Sequence, residues 1–153
     1  MIEERLVELG ITLPPVFPPA GNYLACVIID GMAYVGGHGP IAGEDVIRGK
    51  VGSDLTLEEA QEAARVTALS ILATLKDELG DLDRIERIIK VLGMVNVAAG
   101  FNQTPAVIDG CSDLLVQVFG DAGRHTRSAV GLAELPFDIA VEIELIAKVR
   151  DDH

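Results

Sequence analysis

Apolar residues recur at every third or fourth position over residues 57–79, a spacing that is typical of an amphipathic helix. Thr56 and Glu59 have the spacing of a capping box, in which each side chain accepts a hydrogen bond from a backbone N–H at the helix start. Gly80 follows the last apolar residue and favours the conformation that ends a helix. The sequence therefore predicts a long helix over residues 57–79.

A second apolar stripe runs from Val107 to Val118 and predicts a second helix, which Gly120 ends. Thr104 followed by Pro105 predicts its start, because threonine is a favourable N-cap residue and proline fits the first helical turn. A shorter apolar stripe predicts a short helix over residues 2–9.

Two β-rich runs, residues 22–29 and 32–36, flank the dipeptide Asp30-Gly31. This dipeptide favours a two-residue turn with positive φ angles, so the two runs predict a β-hairpin. Both faces of the hairpin are largely apolar, and we therefore expect both faces of its sheet to be covered. With only two long helices available, we expect the second cover to be another subunit.

The second half of the chain predicts further strands. Residues 86–97 are rich in Ile and Val and predict a strand that bends near Gly93. Residues 139–149 alternate between aliphatic and mixed positions, which predicts a long strand with one dry face. Glu142 and Glu144 share the opposite face of that strand.

The order of these elements predicts an α+β fold, in which a mixed β-sheet carries both long helices on one face. The 153 residues are 49% apolar, enough for one domain with its own core. We therefore expect residues 1–153 to form a single domain, with residues 1–20 as an N-terminal extension.

Charge and cysteine content narrow the classes of partner. The formal net charge is −12, which opposes binding to nucleic acid. No apolar run approaches the roughly 18 residues of a membrane span, and the first residues lack the pattern of a signal peptide. Cys26 and Cys111 are each set in an apolar stretch, which favours buried free thiols over a disulfide. These features together predict a cytoplasmic protein, with no metal-ligand cluster.

Two segments are candidates for chemistry. Arg124–Ser128 is a basic cluster in an acidic chain, which is either a solvated loop or an anchor for a small carboxylate. Gly36–Pro40 contains three glycines and His38, which has either a structural or a catalytic role. The residues alone leave both alternatives open.

The segments Arg127–Val130, Ala133–Pro136 and Val141–Glu144 resemble, without gaps, the C-terminal signature of the RidA/YjgF family of enamine and imine deaminases. This family is also called the L-PSP endoribonuclease or translation-inhibitor family. Gly21–Tyr23 and Val35–Ile41 resemble the family's upstream motifs more weakly. The chain looks like a longer, divergent branch.

This resemblance implies a chorismate-mutase-like fold and a homotrimer with ligand pockets at its subunit interfaces. It implies that Arg127 binds the substrate carboxylate, that Glu142 helps to orient the attacking water, and that Tyr23 is a further catalytic residue. The implied substrate-binding residues are Arg127, Gly37, His38, Ser128 and Ala129. The implied reaction hydrolyses a 2-imino acid, a small carboxylate-bearing metabolite, to a 2-oxo acid and ammonia, without a metal or organic cofactor.

The sequence departs from the family pattern at several positions. Ala129 stands where the family has cysteine, and His38 where it has glutamine. The family's helix asparagine has no secure match, although Ser112 and Asp109 lie in that region. These differences favour an alternative, a non-catalytic trimer that binds a 2-oxo acid or a similar metabolite. An endoribonuclease is a third alternative, which the charge of −12 and the 4% aromatic content disfavour.

Overall fold

Three α-helices and seven strands are present in residues 1–151, the part of the chain that the computed structural model describes. The helices are α1 (Ile2–Glu8), α2 (Leu57–Leu79) and α3 (Thr104–Phe119). The strands are β1 (Cys26–Ile29), β2 (Met32–His38), β3 (Ile41–Ala42), β4 (Asp45–Val46), β5 (Ile85–Asn96), β6 (Thr126–Leu132) and β7 (Val141–Val149). None of these helices is long and apolar enough to cross a membrane.

Five strands form one mixed sheet in the order β1-β2-β7-β5-β6. β5 and β6 are parallel, and the other neighbouring pairs are antiparallel. Strands β3 and β4 form a separate two-stranded ribbon. The long helices α2 and α3 pack on one face of the sheet, where the alternate residues of β7 are buried. The predicted α+β fold with two helices on one face of a mixed sheet is confirmed.

Two local predictions are confirmed in detail. Asp30 and Gly31 form the hairpin turn with φ angles of 50° and 73°. The first strand of the hairpin is shorter than predicted, since β1 begins at Cys26. Helix α2 has the predicted bounds, and Thr56 and Glu59 form both hydrogen bonds of the capping box at 3.1 Å.

Two other local predictions are wrong. In both cases a contact with a residue distant in sequence determines the local structure. Thr104 is the first residue of α3 rather than its N-cap, and its hydroxyl donates to the Ala129 carbonyl oxygen at 3.0 Å. The irregular pairing of β5 lies between Ile85 and Lys90 rather than at Gly93. Gly93 instead makes room for α3, because a Cβ there would lie 2.5 Å from Cγ1 of Ile108.

The face of the sheet opposite α2 and α3, called the open face below, carries exposed apolar side chains. Val27, Ile29, Tyr34 and Val130 are each more than two-fifths exposed. A groove of about 380 Å³ on this face is lined by Tyr34, Leu92 and Ile146 together with Lys90 and Glu144. An exposed apolar surface of this kind is typical of a protein interface, so the oligomer predicted from the sequence remains the expectation.

Helices α2 and α3 approach each other closely at Gly110. A Cβ at this position would collide with the backbone carbonyl oxygen of Gln61 on α2. We expect Gly110→Ala to lower the free energy of unfolding by about 1–3 kcal/mol, because overpacking here must separate two backbones. Chemical denaturation tests this. Asp113→Ala, an exposed substitution on the same helix, is the control and should change stability by less than about 0.5 kcal/mol.

Candidate functional site

Arg127 lies on the edge strand β6, and its side chain reaches α3 on the helix-covered face of the sheet. Nη1 of Arg127 donates to Oδ1 of Asp109 at 2.8 Å and to Oγ of Ser112 at 3.1 Å. Asp109 and Ser112 are three residues apart on α3 and therefore share one face of that helix. The guanidinium group is thus fixed by two side chains through a single nitrogen.

The other edge of the Arg127 guanidinium remains available. Within residues 1–151, neither Nε nor Nη2 donates a hydrogen bond to another group. These two nitrogens form the planar fork that binds a carboxylate through two parallel hydrogen bonds. The side chain is 22% exposed, so the fork is partly desolvated, which strengthens such a pair.

Ser112 and His125 form a hydrogen-bonded pair next to Arg127. Oγ of Ser112 lies 2.9 Å from Nε2 of His125, and Nδ1 of the same ring lies 2.7 Å from the Gly123 carbonyl oxygen. Burial lowers the pKa of His125, and the charge of Arg127 lowers it further, against the opposing effect of the Gly123 hydrogen bond. The imidazole is therefore neutral at neutral pH.

Glu142 lies on the open face of β7, beside Gly37 in β2. The pairing of β2 with β7 is irregular between Val35 and His38, and this irregularity brings Gly37 against the glutamate. A Cβ on Gly37 would collide with Oε2 of Glu142. Burial raises the pKa of the Glu142 carboxyl group, and the nearby charge of Glu144 raises it further. Glu142 is therefore suited to accept a proton.

His38 turns to the face of the sheet that carries the helices. Its Nδ1 lies 2.7 Å from the Gly36 carbonyl oxygen, and its Nε2 lies 2.8 Å from Oγ1 of Thr74 on α2. Burial lowers the pKa of His38, partly offset by the hydrogen bond to Gly36. Both ring nitrogens are thus occupied within the chain.

The remaining candidate residues from the sequence are dispersed. Tyr23 is exposed just before β1, and its hydroxyl oxygen accepts from the backbone N–H of Ala20 at 3.1 Å. Ser128 is exposed on the open face of β6, because it alternates with Arg127. Ala129 returns to the helix-covered face and pairs with Gly93.

One chain therefore brings Glu142 and Gly37 together but separates both from Arg127. Arg127 is in register with Val91 and Leu145, whereas Glu142 is in register with Met94 and Val130. The two charged side chains lie on opposite faces of the sheet and three residues apart along the strands. A single chain does not place them around one ligand.

Sequence reasoning missed that Asp109, Ser112 and His125 converge on Arg127. A signal for this is present, since Asp109 and Ser112 share a helix face, and His125 and Arg127 are two residues apart, the spacing of one face of an extended segment. What the sequence lacks is the information that these two faces meet.

Residues 3–149 match the family described as "YjgF/chorismate mutase-like, putative endoribonuclease". The chain belongs to the YjgF family.

Relatives of this YjgF-family chain match over nearly their whole length. Protein TCP17 of Trypanosoma cruzi is 39% identical over 98% of this chain and 95% of its own. Protein Atu1372 of Agrobacterium tumefaciens, named as having unknown function, has a crystal structure with a TM-score of 0.90 and 42% identity, covering 97% of this chain and 92% of that one. The crystal structure of a "putative endoribonuclease" from Shewanella oneidensis has a TM-score of 0.94 and 33% identity, covering 97% of this chain and 99% of that one.

The cysteines of this YjgF-family chain are buried free thiols, as predicted. Burial raises the pKa of Cys26 to about 11 and that of Cys111 to about 12. Both thiols are therefore protonated at neutral pH and unsuited to act as nucleophiles. Within residues 1–151 there is no group of three or more His, Cys, Asp or Glu side chains that could hold a metal ion.

The two half-buried histidines, His38 and His125, predict a pH dependence of stability. His38 and His125 have folded-state pKa values below the usual 6.5, so the unfolded chain binds more protons around that pH. The contribution of these two neutral imidazoles to the free energy of unfolding is complete above about pH 6.5. It is lost as the pH falls from 6.5 towards their folded-state pKa values. Glu142, whose pKa is raised above 4.5, acts in the opposite sense at lower pH.

We therefore expect the free energy of unfolding to fall more steeply between pH 7.5 and 5.5 in the wild type than in a variant carrying both His38→Gln and His125→Gln. Denaturant titrations at the two pH values measure this difference. Equal pH slopes in the two proteins would contradict the assignment of neutral, half-buried imidazoles.

Proposed function

We propose that this protein hydrolyses 2-imino acids to 2-oxo acids and ammonia. The observation that carries the proposal is the Nε–Nη2 edge of Arg127, which is held in place through Nη1 and makes no hydrogen bond within residues 1–151. A guanidinium fork fixed in this way binds the carboxylate of a small acid in one orientation. Such an anchor supplies most of the positioning that an already fast hydrolysis needs.

Glu142 supplies the second half of the proposed chemistry. Its carboxylate accepts a proton from water as the water oxygen bonds to the iminium carbon, which gives a carbinolamine. Glu142 then passes this proton to the nitrogen. As the C–N bond breaks, the carboxylate takes the proton of the carbinolamine hydroxyl group, so that ammonia and the 2-oxo acid are released, and Glu142 loses that proton to solvent before the next turnover. Because the pKa of Glu142 is raised, we expect activity to fall as the pH drops through a value above the usual 4.5.

The site is proposed to form between subunits. Arg127 and Glu142 lie on opposite faces of the sheet within one chain, so a ligand that contacts both needs one residue from each of two chains. The exposed apolar residues of the open face support an assembly that covers them.

We propose a homotrimer, and sedimentation equilibrium should give three times the chain mass of 16.2 kDa. A mass of one chain at micromolar concentration would contradict this assembly.

Hydrolysis of 2-iminopropanoate tests the proposed activity. The imine is generated in place by an amino-acid oxidase, and the imine that remains is trapped with semicarbazide. We expect the protein to lower the trapped imine relative to a reaction without it. Trapped imine that does not depend on protein concentration would overturn the proposal.

A non-catalytic trimer that binds a 2-oxo acid is the second candidate. It is favoured by two departures from the family pattern, Ala129 and the His38 side chain, which is turned to Thr74. A 2-oxo acid that raises Tm in the wild type, but not in Arg127→Ala, together with no hydrolysis, would select this candidate.

The cysteines support a proposal for the cellular compartment. Cys26 and Cys111 are buried free thiols, which fit a reducing compartment, so we propose the cytoplasm.

The net charge argues against an RNA substrate. A formal charge of −12 repels phosphate backbones, so we do not propose endoribonuclease activity for this protein.

A further inference from the structure

A continuous line of hydrogen bonds links Arg127 to the backbone before β6. Nη1 of Arg127 contacts Oγ of Ser112, which contacts Nε2 of His125, and Nδ1 of His125 contacts the Gly123 carbonyl oxygen. The line joins three elements, since Ser112 is on α3, Arg127 is on β6, and Gly123 ends the turn between them.

The direction of every hydrogen bond in this line is determined. The Gly123 carbonyl oxygen only accepts, so Nδ1 of His125 carries the ring proton. The pKa of His125 is lowered, so Nε2 is unprotonated at neutral pH and accepts the Ser112 hydroxyl proton. An Oγ lone pair of Ser112 is then left for Nη1 of Arg127.

We propose that Ser112 and His125 are positioning residues for Arg127, which keep Nη1 occupied so that the Nε–Nη2 fork is presented to the substrate carboxylate. This inference rests on the proposed function of Arg127 and goes beyond it by naming what orients the fork. In this proposal both residues act through Arg127 and not by contact with the substrate.

Asp109 is the reason that such positioning is needed. Its carboxylate lies 2.8 Å from Nη1 and would itself form a two-pronged pair if the guanidinium rotated. The hydroxyl of Ser112 holds the same nitrogen and restricts Asp109 to one hydrogen bond. Without it, Asp109 competes with the substrate for the fork.

Steady-state kinetics with 2-iminopropanoate test the role in catalysis. We expect Ser112→Ala to raise KM about tenfold with kcat within about threefold of wild type, the effect of one hydrogen bond to a charged group. Ser112→Thr, which keeps the hydroxyl, should restore KM. His125→Gln keeps a hydrogen-bond acceptor, so its KM should lie between the KM of the wild type and that of His125→Phe. A wild-type KM in Ser112→Ala, or a loss confined to kcat, would overturn the proposal.

Nitrogen NMR of the histidine rings tests the geometry without using activity. We expect His125 to carry its proton on Nδ1, and Ser112→Ala to shift both His125 Nε2 and Arg127 Nε while the His38 signals stay unchanged. A His125 ring protonated on Nε2, or an unmoved Arg127 Nε signal, would overturn the positioning role.

If the wild type hydrolyses no imine but the NMR result holds, the proposed function fails and the arrangement around Arg127 stands. If hydrolysis is normal and the NMR result fails, only the positioning role is lost.

Discussion

Replacing Arg127 by alanine is expected to lower kcat/KM for 2-iminopropanoate at least about 100-fold, mainly through KM. The fork of Arg127 is the group that we propose binds the carboxylate, and a charge-assisted pair of this kind contributes about 1.5–3 kcal/mol per hydrogen bond. Removing a uniform binding contact raises KM more than it lowers kcat. Initial rates over a range of imine concentrations measure the effect.

Arg127→Lys is the matched variant, because it keeps the charge and removes the planar fork. We expect its kcat/KM to lie between those of the wild type and the alanine variant. The fold should survive both substitutions, since Asp109 is 51% exposed and water can replace its partner. An alanine variant with wild-type KM and unchanged Tm would mean that Arg127 does not bind the substrate.

Replacing Gly37 by alanine is expected to lower kcat about 100-fold, close to the loss expected for Glu142→Gln. The new methyl group would occupy the position of the Glu142 carboxylate, which is the far end of a flexible side chain and can turn away. The substitution therefore displaces the proposed base with little cost to the fold. Steady-state kinetics and a thermal melt on the same samples separate the two effects.

Gly36→Ala is the matched control for Gly37→Ala. A Cβ on Gly36 would meet its nearest atom, the Ala25 carbonyl oxygen, at an ordinary 3.7 Å. We expect this variant to keep a wild-type kcat. If Gly37→Ala also keeps it, the position of the Glu142 carboxylate is unimportant for the reaction.

Local signals predicted much of the fold. The capping box at Thr56 and the turn at Asp30-Gly31 depend on residues a few positions apart, and both are present as predicted. The alternation of residues 139–149 predicted which face of β7 is buried, because a strand has a period of two. Together they establish the two sides of the sheet and place Glu142 on the open one.

The rest depends on contacts between distant segments. Gly93 leaves room for the Ile108 side chain and does not mark a bend in β5. The Thr104 hydroxyl donates to the Ala129 carbonyl oxygen and does not cap α3. The surroundings of Arg127 likewise require α3 to lie against β6. The resemblance to the RidA/YjgF family implies roles for Arg127 and Glu142, but it does not show that one chain holds them on opposite faces of the sheet.

A mixing experiment tests most directly whether Arg127 and Glu142 from different chains form one catalytic site. At an imine concentration well below the wild-type KM, Arg127→Ala and Glu142→Gln are each expected to retain about 1% of wild-type activity or less. Equal amounts of the two variants are co-expressed with separate affinity tags. Mixed trimers isolated through both tags should recover about one third of the wild-type activity, because in a closed trimer that contains both variants one of the three interfaces pairs an intact Arg127 with an intact Glu142. Mixed trimers that stay as inactive as either parent would contradict a site shared between subunits.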